Sequence, residues 1–231
     1  MTAQLADWTP PPLPDGRTTF EGRFVTLEPL APGHAPALHA ANAADDAIWD
    51  WLPYGPFPSL AAYLAWVDGM SASDDPRFFA LCDPATGIPG GVMSYLRITP
   101  AAGSIEIGHI CLSPALQRTP AATAAVFLMA DWAFRAGYRR FEWKCDALNI
   151  PSRRAAQRFG FSYEGVFRNH MVVKGRNRDT AWFAMTDGDW SGLRPAFEIW
   201  LAPANFDADG GQKSHLGDLT APCRVASDPA L

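Results

Sequence analysis

The spacing of apolar and polar side chains divides most of the chain into short elements. Arg23 to Leu30, Arg77 to Cys82, Gly91 to Ile98, Ser104 to Leu112, Arg140 to Cys145, Ser162 to Lys174 and Arg178 to Thr186 read as strands; in Arg140 to Cys145, Phe141, Trp143 and Cys145 alternate with Glu142 and Lys144. Between them run stretches of helical period. His34 to Ala44 is alanine-rich, Ser59 caps a helix through about Met70 with Leu60, Tyr63, Leu64 and Val67 on one side, and Ala121, Ala125, Leu128, Met129, Trp132 and Ala136 form a 3.6-residue stripe. Pro151 to about Phe159 and Trp190 to Leu201 supply two further helices, with Gly137 and Gly160 as stops. Strands interleaved with helices predict an α/β domain.

Ser104 to Phe134 organises the rest. A strict two-residue period puts Ile105, Ile107 and Cys111 on one face and Glu106, Ile110 and Leu112 on the other, a strand buried on both sides. Gly108 interrupts it, which predicts a bulge or a place where a ligand or backbone comes close. Thr119-Pro120 then starts a helix: the hydroxyl is expected to accept from the first free amides, and proline lacks an N–H where none is needed. The amides of Ala121, Ala122 and Thr123 have no intrahelical partner and sit at the positive end of the helix dipole, so they can hold a phosphate.

Composition narrows the classes. A chain of 231 residues, 48% hydrophobic, buries a sizeable core as one domain or one domain with tails. Nineteen Lys and Arg against 24 Asp and Glu give a formal charge of −5, so no positive field favours nucleic acid or anionic lipid. No apolar run has the length of a membrane span, the four cysteines lack ligand spacing, and the histidines form no i, i+4 ligand pair; we expect a cytoplasmic protein with reduced thiols and no metal. Residues 1–19, with Pro10, Pro11, Pro12 and Pro14, read as an extended arm that Trp8 anchors. Residues 202–231, rich in Gly, Asp, Ser and Pro, read as a poorly packed tail after a domain over residues 20–201.

The bulged strand, the turn opening a helix, and a following strand with Asn149-x-x-Ser152 together resemble the acetyl-CoA site of the GNAT acyltransferase superfamily, most closely its RimJ/RimL-type branch. Gln117, Arg118, Thr119, Pro120, Ala121 and Ala122 occupy the six places of that family's Q/R-x-x-G-x-G/A loop, with Pro120 where the family has glycine. The resemblance covers roughly residues 20 to 190. It implies a mixed central sheet of about six to seven strands, splayed between the fourth and fifth, with helices on both faces. It also implies acetyl-CoA as donor and an amine acceptor, either a small metabolite or a protein N-terminus, and leaves a homodimer open. Pantetheine contacts are then expected from Ile110, Cys111, Leu112 and Asn149, and diphosphate contacts from Gln117, Arg118, Thr119, Ala121, Ala122 and Thr123.

Chemistry at the thioester needs a proton acceptor for the amine and a stabiliser for the departing thiolate. Glu106 and His170 are the candidates for the first, with water as a third route; Ser152 matches the family serine that bonds the sulfur. The run Ile48 to Phe57 packs Trp49, Trp51, Tyr54 and Phe57 among prolines, which makes it a loop, and with His109 it is expected to wall the acceptor pocket. Arg168, Lys174, Arg176 and Arg178 either receive an acidic acceptor or pair internally with Asp179, and pairing is the expectation. Two rivals use the same residues: a GNAT-shaped sensor of acyl-CoA that no longer catalyses transfer, and an interaction module that presents the aromatic loop to a protein.

Overall fold

The computed structural model describes residues 7–231. Its centre is one eight-stranded sheet formed by β1 (Phe20–Glu21), β2 (Thr26–Pro29), β3 (Arg77–Cys82), β4 (Pro89–Thr99), β5 (Ser104–Leu112), β6 (Arg140–Asp146), β7 (Ser162–Val173) and β8 (Arg176–Thr186), in the spatial order β1-β2-β3-β4-β5-β6-β8-β7. The short β1 is the strand beyond those expected. Every pairing is antiparallel except that of β5 with β6, which spans only Ser104–Ile107 against Arg140–Trp143. Past Ile107 the two strands part, leaving a gap in the middle of the sheet. This is the predicted splay.

Apolar residues on the central strands face two cores. In β3, Phe79 and Leu81 enter one layer and Phe78, Ala80 and Cys82 the other, so its apolar run is that of a strand covered on both faces. The first layer lies under α3 (Pro120–Arg135), α4 (Ile150–Arg158) and α5 (Asp187–Leu201), where Tyr95 donates from its hydroxyl to the Met129 carbonyl at 2.7 Å. The second lies under α1 (Ala35–Asn42) and α2 (Leu60–Ser71), the latter capped by Ser59 Oγ accepting from the Ala62 amide. α5 starts at Asp187 rather than Trp190, because Thr186 and Asp189 form a reciprocal capping box ahead of the first apolar position.

The bulge corrects the facing of β5. Val92 pairs with Cys111 but Ser94 pairs with Gly108, so three steps along β5 match two along β4, and His109 takes up the extra residue at φ +50°. Each residue beyond it changes face. Cys111 therefore lies with Ala80 and Val92 in the layer under α1 and α2, whereas Ile110 and Leu112 pack toward the layer holding Ile105 and Ile107.

Both ends of the described residues are tied down. Trp8 donates from Nε1 to the Gly137 carbonyl at 3.3 Å, and Tyr138 from its hydroxyl to that of Pro12 at 3.0 Å. The expectation of a poorly packed tail fails. Leu216, in the short helix α6 (Leu216–Thr220), is fully buried, Thr220 Oγ1 donates to the Arg158 carbonyl, and Asp228 is buried against Arg153 with Nε–Oδ2 2.7 Å and Nη2–Oδ1 2.6 Å. The Gly, Asp, Ser and Pro content of this segment builds turns between such anchors. Among the described residues no helix is long and apolar enough to cross a membrane.

Candidate active site

A cavity of about 920 Å³ occupies the gap between β5 and β6 and opens toward both layers. At one end stand Arg118, Thr119, Pro120, Ala122 and Thr123 at the start of α3, with Arg158 from α4. Asn149 and Ser152 at the start of α4 lie in the middle, and Trp51, Arg97, Glu106, His109, Lys144, Met171 and Arg178 line the other end.

The first end is built to meet anions. Thr119 precedes α3, but its Oγ1 donates to the Leu116 carbonyl at 2.8 Å and caps nothing, contrary to expectation. The first-turn amides are left without that side-chain partner. Arg118 adopts φ +60° at this turn, and Arg158 donates from Nη1 to Thr123 Oγ1 at 3.0 Å. In the middle, Asn149 Oδ1 accepts from the Ser152 amide at 3.1 Å and fixes the first turn of α4. Ser152 Oγ accepts from Trp143 Nε1 at 3.0 Å, which occupies a lone pair and leaves the hydroxyl proton to donate.

The other end is organised around a buried carboxylate. Glu106, 3% exposed, accepts from Arg97 Nη1 at 2.9 and 2.8 Å, and its Oε2 lies 2.9 Å from Lys144 Nζ. Burial raises its pKa, while Lys144 and Arg97 act in the opposite direction. Lys144 Nζ also meets Glu142 at 2.7 Å and lies 3.7 Å from the centre of the Trp182 ring. Glu142 in turn meets Arg140, and Arg140 meets Glu164, so charges of alternating sign run Glu164, Arg140, Glu142, Lys144, Glu106, Arg97 across the sheet. At the bulge, His109 stacks on Tyr54 with centroids 5.6 Å apart; burial, with Arg97 and Arg178 nearby, lowers its pKa to about 4 and keeps the ring neutral near pH 7.

A parallel pair opened by a bulge, ending at an uncapped helix start, is the arrangement seen in a known group of proteins. The acetyltransferase (GNAT) domain family matches residues 25–162, more than half of the chain. The chain belongs to the GNAT acetyltransferases. A GCN5-related N-acetyltransferase from Brucella melitensis is 49% identical, the match covering 94% of this chain and 100% of that one with a TM-score of 0.91. A probable acetyltransferase of the GNAT family from Chromobacterium violaceum is 43% identical over 83% of this chain and 96% of that one, with a TM-score of 0.78. The microcin C7 self-immunity acetyltransferase solved with acetyl-CoA and AMP shares the fold, at 19% identity over 71% of this chain and 93% of that one and a TM-score of 0.65. Among curated proteins, none matches.

Within this acetyltransferase the expected residues separate into two groups. Glu106, His109, Ile110, Leu112, Arg118, Thr119, Ala122, Thr123, Asn149, Ser152 and Trp51 all line the cavity. The others do not. Cys111 faces the α1 and α2 layer, where burial pushes its thiol up to about 12, and Ala121 is core. Gln117 turns back to donate from Nε2 to the Leu112 carbonyl at 3.0 Å. Trp49, 4% exposed, is core as well, its ring edge-on to Tyr54, Phe57 and Tyr63 and its carbonyl accepting from Lys174 Nζ at 2.8 Å. Tyr54 sits behind His109 rather than on the cavity wall. His170 is exposed, with Nδ1 2.9 Å from Thr180 Oγ1 and its ring against Phe167 and Trp182, away from the lining. Asp179 accepts from the Asn169 amide and from Asn177 Nδ2 instead of pairing with the nearby arginines.

Sequence reasoning missed Arg97, Trp143, Lys144 and Arg158, and it weighed Arg178 as a receiver of an acidic acceptor but preferred internal pairing, which the structure does not show. For Lys144 a signal existed, since it shares a strand face with Glu142 in the alternation of Arg140 to Cys145, but the register of β6 beside β5 was needed to bring it to Glu106.

Proposed function

We propose that the protein transfers the acetyl group of acetyl-CoA directly to an amine, as a member of the RimJ/RimL-type branch working in the cytoplasm on a small metabolite or a protein N-terminus. Four cysteines without disulfides accord with that compartment. The observation that carries the reading is the continuity of one cavity from the α3 start, through the gap between β5 and β6, to Glu106.

In this reading the amides of Ala122 and Thr123, with Arg118 and Arg158, hold the diphosphate. The open edge of β5 at Ile110 and Leu112 bonds the pantetheine amides as another strand would, and Asn149 fixes the turn beside them. The thioester then lies near Ser152. Glu106 takes a proton from the acceptor ammonium, directly or through one water, its raised pKa suiting it to the task. The freed amine forms the new C–N bond to the acetyl carbon as the C–S bond breaks, the Ser152 hydroxyl holds the departing thiolate by a hydrogen bond, and the thiolate takes the second proton from the acylated nitrogen and leaves as the CoA thiol. Neutral His109, clamped by Tyr54, shapes the acceptor end without adding charge.

Calorimetric titration with acetyl-CoA, beside thiol release over a panel of amines and N-terminal peptides, tests the proposal. Binding with release of CoA is expected. Binding without release would favour the sensor instead, and absence of binding would refute both.

A further inference from the structure

Among the described residues, the acceptor end carries one cation that no carboxylate answers. Arg97 is matched by Glu106, and Lys144 by Glu106 and Glu142. Arg178 is different. Its half-buried side chain lines the cavity, yet among the described residues its guanidinium has no hydrogen bond and no carboxylate within ion-pair distance, and Nε is buried without a partner. Unpaired buried guanidinium nitrogen is costly, and a planar fork of donors suits a carboxylate or phosphate bound through two oxygens.

Its position assigns it to the acceptor rather than to the diphosphate. Arg178 stands on β8 opposite Met171 of β7, which also lines the cavity, and its charge is felt at His109. Glu106, Arg97 and Asp146 are the charged groups that in turn act on it. Arg118 and Arg158 serve the far end. Asp146 does not neutralise it, lying outside ion-pair distance and accepting instead from the Leu148 amide at 2.8 Å.

We infer that the acceptor is an amine that also carries an anionic oxygen group, a carboxylate or a phosphate, and that Arg178 binds that group and so orients the amine toward Glu106. This rests on the acetyltransferase reading above and adds the substrate class.

The test uses matched probes on the CoA-loaded protein: leucine against leucinamide, and O-phosphoethanolamine against ethanolamine, with affinity measured by calorimetry and turnover by thiol release. The anionic member of at least one pair should bind roughly tenfold or more tighter. Whichever pair shows the difference separates carboxylate from phosphate. In Arg178→Gln that preference should vanish while the Kd for acetyl-CoA stays unchanged, and Arg178→Lys should restore part of it. No preference in the wild type, or a preference that survives Arg178→Gln, overturns the inference. A weakened Kd for acetyl-CoA in Arg178→Gln overturns it too, by moving Arg178 to the donor. Failure of the wild type to bind acetyl-CoA is a separate result, which refutes the underlying reading.

Discussion

Replacing Asp228 by Ala should unfold the protein far more readily than a change three residues from the last position would suggest. Asp228 has no exposed side-chain surface, and it bonds Arg153 of α4, itself 7% exposed, through both oxygens. The substitution leaves a guanidinium in the interior with only the Ala147 carbonyl as partner. Removing one member of such a pair costs about 3–5 kcal/mol, because the remaining charge has been taken from water without compensation. For a domain of this size each kcal/mol lowers Tm by about 2–4 °C, so a fall on the order of 10 °C is expected by differential scanning fluorimetry. Since the pair is buried, the loss should be nearly the same at low and high salt. In Arg153→Met/Asp228→Ala, where neither charge remains, much of the stability should return. A fall below about 2 °C, or one erased by salt, would refute the argument, because an exposed pair contributes only about 0–1 kcal/mol.

Three further outcomes follow from the site. Glu106→Gln should lower kcat by about 100-fold or more, as loss of a general base does, with the Kd for acetyl-CoA retained; unchanged kcat would assign the proton to water. Gly108→Ala should lower kcat through displacement, because a Cβ there would lie 2.9 Å from Leu96 Cδ2 and 3.4 Å from Glu106 Oε1, and pairing it with Leu96→Ala should recover part of the loss if that crowding is the cause. His109 has a folded pKa of about 4, below its ordinary 6.5, so it binds its proton more weakly when folded. Its contribution is complete above pH 6.5 and is lost as pH falls toward 4, about 3 kcal/mol in all, and His109→Phe should flatten urea-measured stability over that window.

Much of the sheet was legible because its signals are local. Arg77 to Cys82 was found with both ends correct, since a strand covered on both faces writes a continuous apolar run, and Ser59 announced α2 by the chemistry of its cap. Gly108 marked the bulge, but its effect on facing was not derivable: one extra residue at His109 sends Cys111 to the other layer, and only the pairing with β4 counts that residue. The site divides along the same line. Ser152 and Asn149 were visible through a short spacing, whereas Lys144 and Arg97 reach Glu106 from neighbouring strands, and contact across strands leaves no spacing to read. Composition misled at the tail, where Leu216, Thr220 and Asp228 suffice to anchor a segment otherwise made of turns.

The alternating string from Glu164 to Arg97 constrains how this sequence can drift. Its six members sum to zero charge, and each interior one is shared by two neighbours of like sign, so a lone replacement leaves those two like charges without the counter-charge between them. Tolerated change must come in adjacent twos. Substitutions at Arg140, Glu142 and Lys144 would be expected to travel together through descent, and a library that randomises Glu106 alone would explore mostly dead variants, while one that randomises it jointly with Lys144 would reach new pocket chemistries.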